Sequence, residues 1–212
     1  MRVVVTAGGT REPIDAVRVV ANTSTGRLGA LLAETAVAAG HEVVLMHGVH
    51  ASLPRAACQR FVFDTHADLG ALLAEQAPGA GAVFHAAAVS DYVPVPTEGK
   101  LSSDEPELVL RMTRTPKLID GLRALCPGAF LVGFKLTSGC STAEQLAVGA
   151  SLLRRALLDL VVVNDAARLG ELDHEALLVD ASGIRERCRG KPAIATALVA
   201  RLAAPRGQAT AT

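Results

Sequence analysis

The sequence predicts an α/β fold: a three-layer, Rossmann-like domain with a mostly parallel sheet, helices on both faces and an antiparallel element near a proline- and glycine-rich flap. Three observations predict it. Short β-branched runs alternate with alanine- and leucine-rich stretches of helical length, and several of the runs end abruptly in glycine, serine, asparagine or aspartate. The chain has 212 residues, of which 50% are hydrophobic, enough to bury one generous core. Its mean hydropathy of +0.34 agrees. One domain over residues 1–204 is expected, followed by an Ala/Pro/Gly/Thr tail over 205–212 that is expected to be disordered.

Residues 1–5 form a β-branched run suited to a strand buried on both faces. Residues 30–39 are apolar and alanine-rich, and Gly40 ends that helix. A strand over 41–46, a short strand over 60–63 and a helix over 66–76 continue the alternation. Residues 82–89 read as another buried strand that ends at Ser90, Asp91 and Tyr92. Its small alanines let a ligand lie against the backbone at the strand's carboxyl end, where open α/β sheets bind. Residues 93–107 hold Pro94, Pro96, Gly99 and Pro106, which predicts an irregular, mobile flap with Lys100 inside it. Beyond it, 108–112 alternate like a strand, 116–125 like a helix, and 130–134 return to the sheet. A long helix over 143–158, strands over 159–165 and 175–180, and a closing helix over 191–202 complete the chain. No internal repeat or linker interrupts it.

Two glycine-rich segments lie between the first strand and the first helix: Thr6-Ala-Gly-Gly-Thr-Arg-Glu-Pro-Ile-Asp15 and, after Arg18, Asn22-Thr-Ser-Thr-Gly-Arg-Leu-Gly29. Backbone N–H groups and a helix N-terminus can face an anion there, so a nucleotide is the first ligand to consider. The spacing departs from the dinucleotide fingerprint, in which G-x-G-x-x-G joins strand to helix in one tight turn. A polar excursion instead leaves room for a second substrate. The ordinary alternative is a long connection whose serines and threonines cap the helix.

With 21 basic and 21 acidic residues and no basic stripe interleaved with aromatics, nucleic acid is not an expected partner. No apolar run reaches the ~18 residues that span a bilayer, and the N-terminus opens on a strand without signal-peptide features, so a cytoplasmic protein without membrane partners is expected. Cys58, Cys126, Cys140 and Cys188 show no ligand spacing, which predicts reduced thiols and no metal site. The six histidines, His41, His47, His50, His66, His85 and His174, have no partner motif. His85 lies just before Ala86 but is expected to be a satisfied strand histidine.

Taken with Ala86-Ala-Ala-Val-Ser-Asp91, Lys100, Val132-Gly-Phe-Lys-Leu136 and Val161-Val-Val-Asn-Asp165, the two glycine-rich segments occur in the order found in the phosphopantothenate–cysteine ligase family. The sequence resembles that family over nearly its whole length. The resemblance implies a ligase that makes phosphopantothenoylcysteine in coenzyme A biosynthesis. Many bacteria fuse it behind a flavin-dependent decarboxylase; this chain starts at the ligase, resembles the free-standing form, and implies no flavin. The family activates the carboxylate of 4′-phosphopantothenate as an acyl-nucleotide, releasing pyrophosphate, and the amine of L-cysteine then displaces the nucleotide. Mg2+ shields the triphosphate. CTP is expected from bacterial relatives, with ATP possible because Gly133-Phe-Lys-Leu136 also resembles the ATP-using enzymes.

Carried over by motif, Asn22, Ala87, Ala88 and Asp91 would hold phosphopantothenate and its activated carboxyl group. Arg18 would reach its phosphate from the neighbouring subunit, making a homodimer with composite sites. An amide can donate to an acyl-adduct oxygen, and a guanidinium fork matches phosphate. Gly8, Ser24, Gly26, Gly29, Phe134, Lys135 and Asn164 resemble the nucleotide-binding positions. Asn22 and Lys100 are the expected catalytic residues, Lys100 stabilising charge as the acyl-nucleotide forms. Relatives usually carry several flap lysines. Here Lys100-Leu-Ser-Ser103 holds one, so supporting charge must come from elsewhere, Arg27 being a candidate. Two other functions compete: a short-chain-dehydrogenase-like oxidoreductase, which lacks its Tyr-x-x-x-Lys pair because Pro96 follows Tyr92 at that spacing, and a non-catalytic nucleotide-binding module.

Overall fold

A computed structural model describes residues 1–95, 97, 99–102, 106–168 and 175–203. The expected tail over 205–212, Pro96 and Ser103 of the flap, and His174 lie outside the described residues. The chain opens with β1 (Arg2–Ala7), a short antiparallel hairpin of β2 (Arg11–Pro13) and β3 (Val19–Ala21), and α1 (Arg27–Ala38). Next come β4 (Glu42–Gly48), β5 (Gln59–Phe63), α2 (His66–Gln76), β6 (Ala82–His85) and an antiparallel ribbon of β7 (Tyr92–Pro94) with β8 (Met112–Arg114). The remainder is α3 (Leu118–Leu125), β9 (Phe130–Thr137), α4 (Thr142–Arg155), β10 (Leu160–Asp165), β11 (Glu175–Asp180), β12 (Gly183–Arg189) and α5 (Lys191–Ala200).

Eight strands form one sheet in the order β12-β11-β10-β9-β6-β1-β4-β5, parallel from β10 to β5 and antiparallel at β11 and β12. Strand alternation builds two cores. Val3 and Val5 point to the side of Leu32 and Ala33 of α1 and Ile194 and Leu198 of α5. Val4 points to the other side, with Leu69 and Leu73 of α2, Leu122 of α3 and Leu152 of α4. The three layers and the antiparallel element beside the flap agree with the expectation from sequence. The chain winds outward from β1 to β5, then crosses back to β6 and winds the other way. The strand order therefore reverses between β1 and β6, which opens a crevice at their carboxyl ends.

Several expectations need correction. The strand expected over 82–89 stops at His85, because the Ala87 amide is diverted to the Thr6 side chain at 3.0 Å, and pairing returns only as an isolated bridge between Gly9 and Ala88. The strand expected over 108–112 begins only at Met112; Leu108 and Val109 are exposed, so their alternation had no core to face. The helix expected to end at Leu158 stops at Arg155, before Leu157 takes a left-handed φ of 51°. The polar excursion after Gly9 is the β2–β3 hairpin. β12, Ile-Arg-Glu-Arg-Cys within its span, was hidden by charges suited to a solvated edge strand.

Candidate active site

Close packing of glycine backbones brings the two expected segments together. A Cβ on Gly9 would lie 2.4 Å from the Asn22 carbonyl, so the second segment can cross the first only at a glycine. Above that crossing sits a cluster of hydroxyls. Thr10 Oγ1 and Ser90 Oγ share a hydrogen bond of 2.7 Å, the Ser90 amide donates to Thr10 Oγ1 at 2.9 Å, and Thr115 Oγ1 donates to the Ser90 carbonyl at 2.7 Å. Asn22 Nδ2 reaches over the same point, donating to the Ala88 carbonyl at 3.1 Å and to Ser90 Oγ at 3.3 Å. The structure thus brings Asn22, Ala88 and the start of Asp91 into one place at the β1–β6 crevice.

The Ala86-Ala-Ala88 turn is held from below. The Ala87 amide donates to Thr6 Oγ1 at 3.0 Å, and Thr6 Oγ1 shares a hydrogen bond of 3.0 Å with His85 Nδ1. His85 is buried, and burial pushes its pKa down to about 4, so it is a neutral strut, as expected of a satisfied strand histidine. On the rim, the Thr115 amide fixes the Asp91 carbonyl at 3.0 Å, while the Asp91 carboxylate forms an ion pair with Lys117 at the start of α3. Lys117, Thr10, Ser90 and Thr115 were not singled out from sequence. Thr10 and Ser90 stand within the quoted motifs, whereas only position in the fold marks Thr115 and Lys117.

The nucleotide positions divide. Gly26, with φ 72°, is the N-cap of α1 and carries no side-chain cap, which removes the reading of Ser24 or Thr25 as the cap. Gly8 and Gly26 both press against Ala51, where a Cβ on either would meet the Ala51 Cβ at 2.7 Å. Gly29 lies inside α1, where an added Cβ would meet Ala7 at 2.4 Å, so helix–strand packing alone requires it. Phe134 is half-buried against the α1–α5 core, and Lys135 is exposed. Asn164, on the neighbouring β10, is half-buried. Beside it, Asp165 accepts the Gly139 and Cys140 amides at 2.9 and 3.0 Å and Thr137 Oγ1 at 2.8 Å. Those amide bonds hold its carboxyl far below the usual range and shape the loop after β9.

Lys100 is exposed on the flap, and Arg18, expected to serve a neighbouring subunit, pairs here with its own chain's Asp15 at 3.1 Å. Among the described residues no three His, Cys, Asp or Glu side chains converge as a metal cage. No helix among them is long and apolar enough to cross a membrane.

A doubly wound sheet with split glycine segments and a polar cluster at its switch point defines a small-ligand-binding α/β domain. Comparison with known proteins gives the family. Residues 1–205 match the model of the DNA/pantothenate metabolism flavoprotein C-terminal domain, and the chain belongs to that family, the phosphopantothenate–cysteine ligase family its motifs resemble. The coenzyme A biosynthesis bifunctional protein CoaBC of Thermococcus kodakarensis is 38% identical over 181 residues, 84% of this chain and 44% of that protein. The chain thus spans less than half the length of that relative. The DNA/pantothenate metabolism flavoprotein of Streptococcus pneumoniae superposes with a TM-score of 0.90 at 28% identity, covering 95% of this chain and 98% of that one. A Cab2 variant solved in complex with phosphopantothenate-cysteine has a TM-score of 0.79 at 20% identity over 95% of this chain and 86% of its own, a likeness of fold.

Proposed function

We propose that this chain joins 4′-phosphopantothenate to L-cysteine, with residues 1–204 acting as one catalytic domain in the cytoplasm. The observation that carries the reading is the Asn22 amide, held at the crevice by the Ala88 carbonyl and the Ser90 hydroxyl in a member of this family. A carboxylate must gain a leaving group before an amine can displace its oxygen. A carboxylate oxygen of phosphopantothenate attacks the α-phosphorus of CTP, or of ATP; the bond to the bridging oxygen breaks and pyrophosphate leaves. The cysteine amine then attacks the acyl carbon, loses a proton, and the C–O bond breaks to release the nucleoside monophosphate.

Asn22 Nδ2 donates to an oxygen of the acyl group, while Ala87, Ala88 and Asp91 line it. Lys100, with Lys117 behind Asp91, supplies positive charge as the triphosphate divides. Gly8, Ser24, Gly26, Phe134, Lys135 and Asn164 border the nucleotide, and Gly29 serves by letting α1 lie against β1. A Mg2+ ion carried on the triphosphate would shield its charge while keeping most of its own waters.

The reading includes a homodimer in which Arg18 of one subunit reaches the phosphate bound by the other. Its fork has more N–H groups than the contacts to Asp15 and Leu101 use. The β7–β8 ribbon leaves Tyr92 and Met112 exposed, with Leu108 and Val109 beside it, an apolar patch suited to a second copy. A monomer in sedimentation velocity at assay concentration would contradict that part.

The test is product formation from phosphopantothenate, cysteine, magnesium and either CTP or ATP. Wild type should release pyrophosphate in step with phosphopantothenoylcysteine. Asn22→Ala should lose about 100-fold in turnover or more while melting within about 1.5 kcal/mol of wild type. Full activity in Asn22→Ala, or a collapse of its stability, would return Asn22 to a structural role.

A further inference from the structure

Asp15, in the turn between β2 and β3, has a fully inaccessible side chain whose two oxygens serve different segments. Oδ1 accepts the Val17 amide at 2.9 Å and the Arg18 amide at 2.8 Å, folding the turn between β2 and β3. Oδ2 accepts the Leu101 amide at 3.0 Å and pairs with the Arg18 guanidinium at 3.1 Å. Arg18 Nη2 in turn donates to the Leu101 carbonyl at 3.4 Å. On the other side of Lys100, the Ala16 amide donates to the Gly99 carbonyl at 2.9 Å. Both neighbours of Lys100 are therefore tied to the hairpin whose last strand leads into Asn22.

A turn of this kind needs one carboxylate oxygen, and an aspartate or asparagine would fold it equally. A buried carboxylate is tolerated only where hydrogen bonds and a cation satisfy it. Here the Val17 amide, then those of Leu101 and Arg18, hold the carboxyl below its usual range, so the charge persists at neutral pH. Within the hairpin the second oxygen meets only the Arg18 guanidinium. Its amide partner lies 86 residues away in sequence, on the flap.

We propose that Asp15 is a positioning residue whose Oδ2 docks the Leu101 end of the flap and thereby holds Lys100 against the hairpin that leads into Asn22. This rests on the reading of Lys100 as the group that stabilises charge in acyl-nucleotide formation. The flap is then a strap docked at Gly99 and Leu101 within the segment expected to be mobile.

The variant that isolates Oδ2 is Asp15→Asn. Its carbonyl can still accept from Val17 and Arg18, while its NH2 group faces the Leu101 amide and the Arg18 guanidinium, donor against donor. Amide exchange of Leu101 should accelerate about tenfold, with β1 and β6 amides unchanged. A second variant approaches from the flap. Gly99 has φ 74° and open space around its missing Cβ, so Gly99→Ala strains only the docked backbone and should also speed Leu101 exchange. In turnover, Asp15→Asn should lower kcat about tenfold with little change in nucleotide KM. Added to Lys100→Gln it should cost less than about twofold more, because both act on one group.

Unchanged Leu101 exchange in both variants would overturn the docking role. Losses from Asp15→Asn and Lys100→Gln that multiply would overturn positioning through Lys100. Faster exchange together with full turnover in Lys100→Gln would uphold the docking and overturn the catalytic reading of Lys100 on which the proposal rests.

Discussion

His85 stays neutral because water cannot reach it, and that gives the site a pH signature of its own. Its folded pKa of about 4 lies below the ordinary 6.5, so between those values the unfolded chain binds a proton that the folded chain refuses. Stability is complete above about 6.5 and falls as pH drops towards 4, by about 3 kcal/mol in all. Asp165 loses its contribution only below the ordinary aspartate value of 3.8, so the two windows separate. Thermal melts across pH 4–7 should show this decline in wild type and a flatter curve in His85→Gln; parallel curves would mean that the buried imidazole does not report the strut. At this scale the sequence was partly legible. Asn22, Ala88 and Asp91 stand in motifs and do converge, whereas Lys117 reaches Asp91 across 26 positions and no local pattern announces such a pair.

The segment from Gly26 through α1 shows how an element can carry a residue for a reason other than its motif. Gly29 sits in the glycine-rich block, yet its missing Cβ is what lets α1 lie against β1. Gly29→Ala should therefore destabilise the fold by about 1–3 kcal/mol, read as a lower denaturation midpoint at unchanged slope. A variant as stable as wild type but weak for nucleotide would favour ligand contact instead. The long helices were legible from their composition and length, and the structure adds a capping box at the start of two of them, Thr65–Asp68 on α2 and Ser141–Glu144 on α4. The short pieces were not. β2 and β3 have three residues each, below any periodicity, and β12 alternates charges where a solvated edge strand allows them.

Across the whole molecule, winding outward from β1 and then back from β6 creates the crevice, and the glycine segments, alanine turn and hairpin all meet there because each follows one of those two strands. That convergence is a property of topology. It could be expected from alternating strands and helices, but which hydroxyls and cations it gathers could not. Activation of a carboxylate as an acyl-nucleotide in this crevice, as proposed, leaves its mark in isotope transfer. Phosphopantothenate carrying heavy oxygen in its carboxylate is turned over with cysteine, magnesium and CTP, and the phosphorus products are analysed by mass. One heavy oxygen is expected in the nucleoside monophosphate and none in pyrophosphate. Label recovered in inorganic phosphate beside a nucleoside diphosphate, or product formed with no label in the monophosphate, would contradict it.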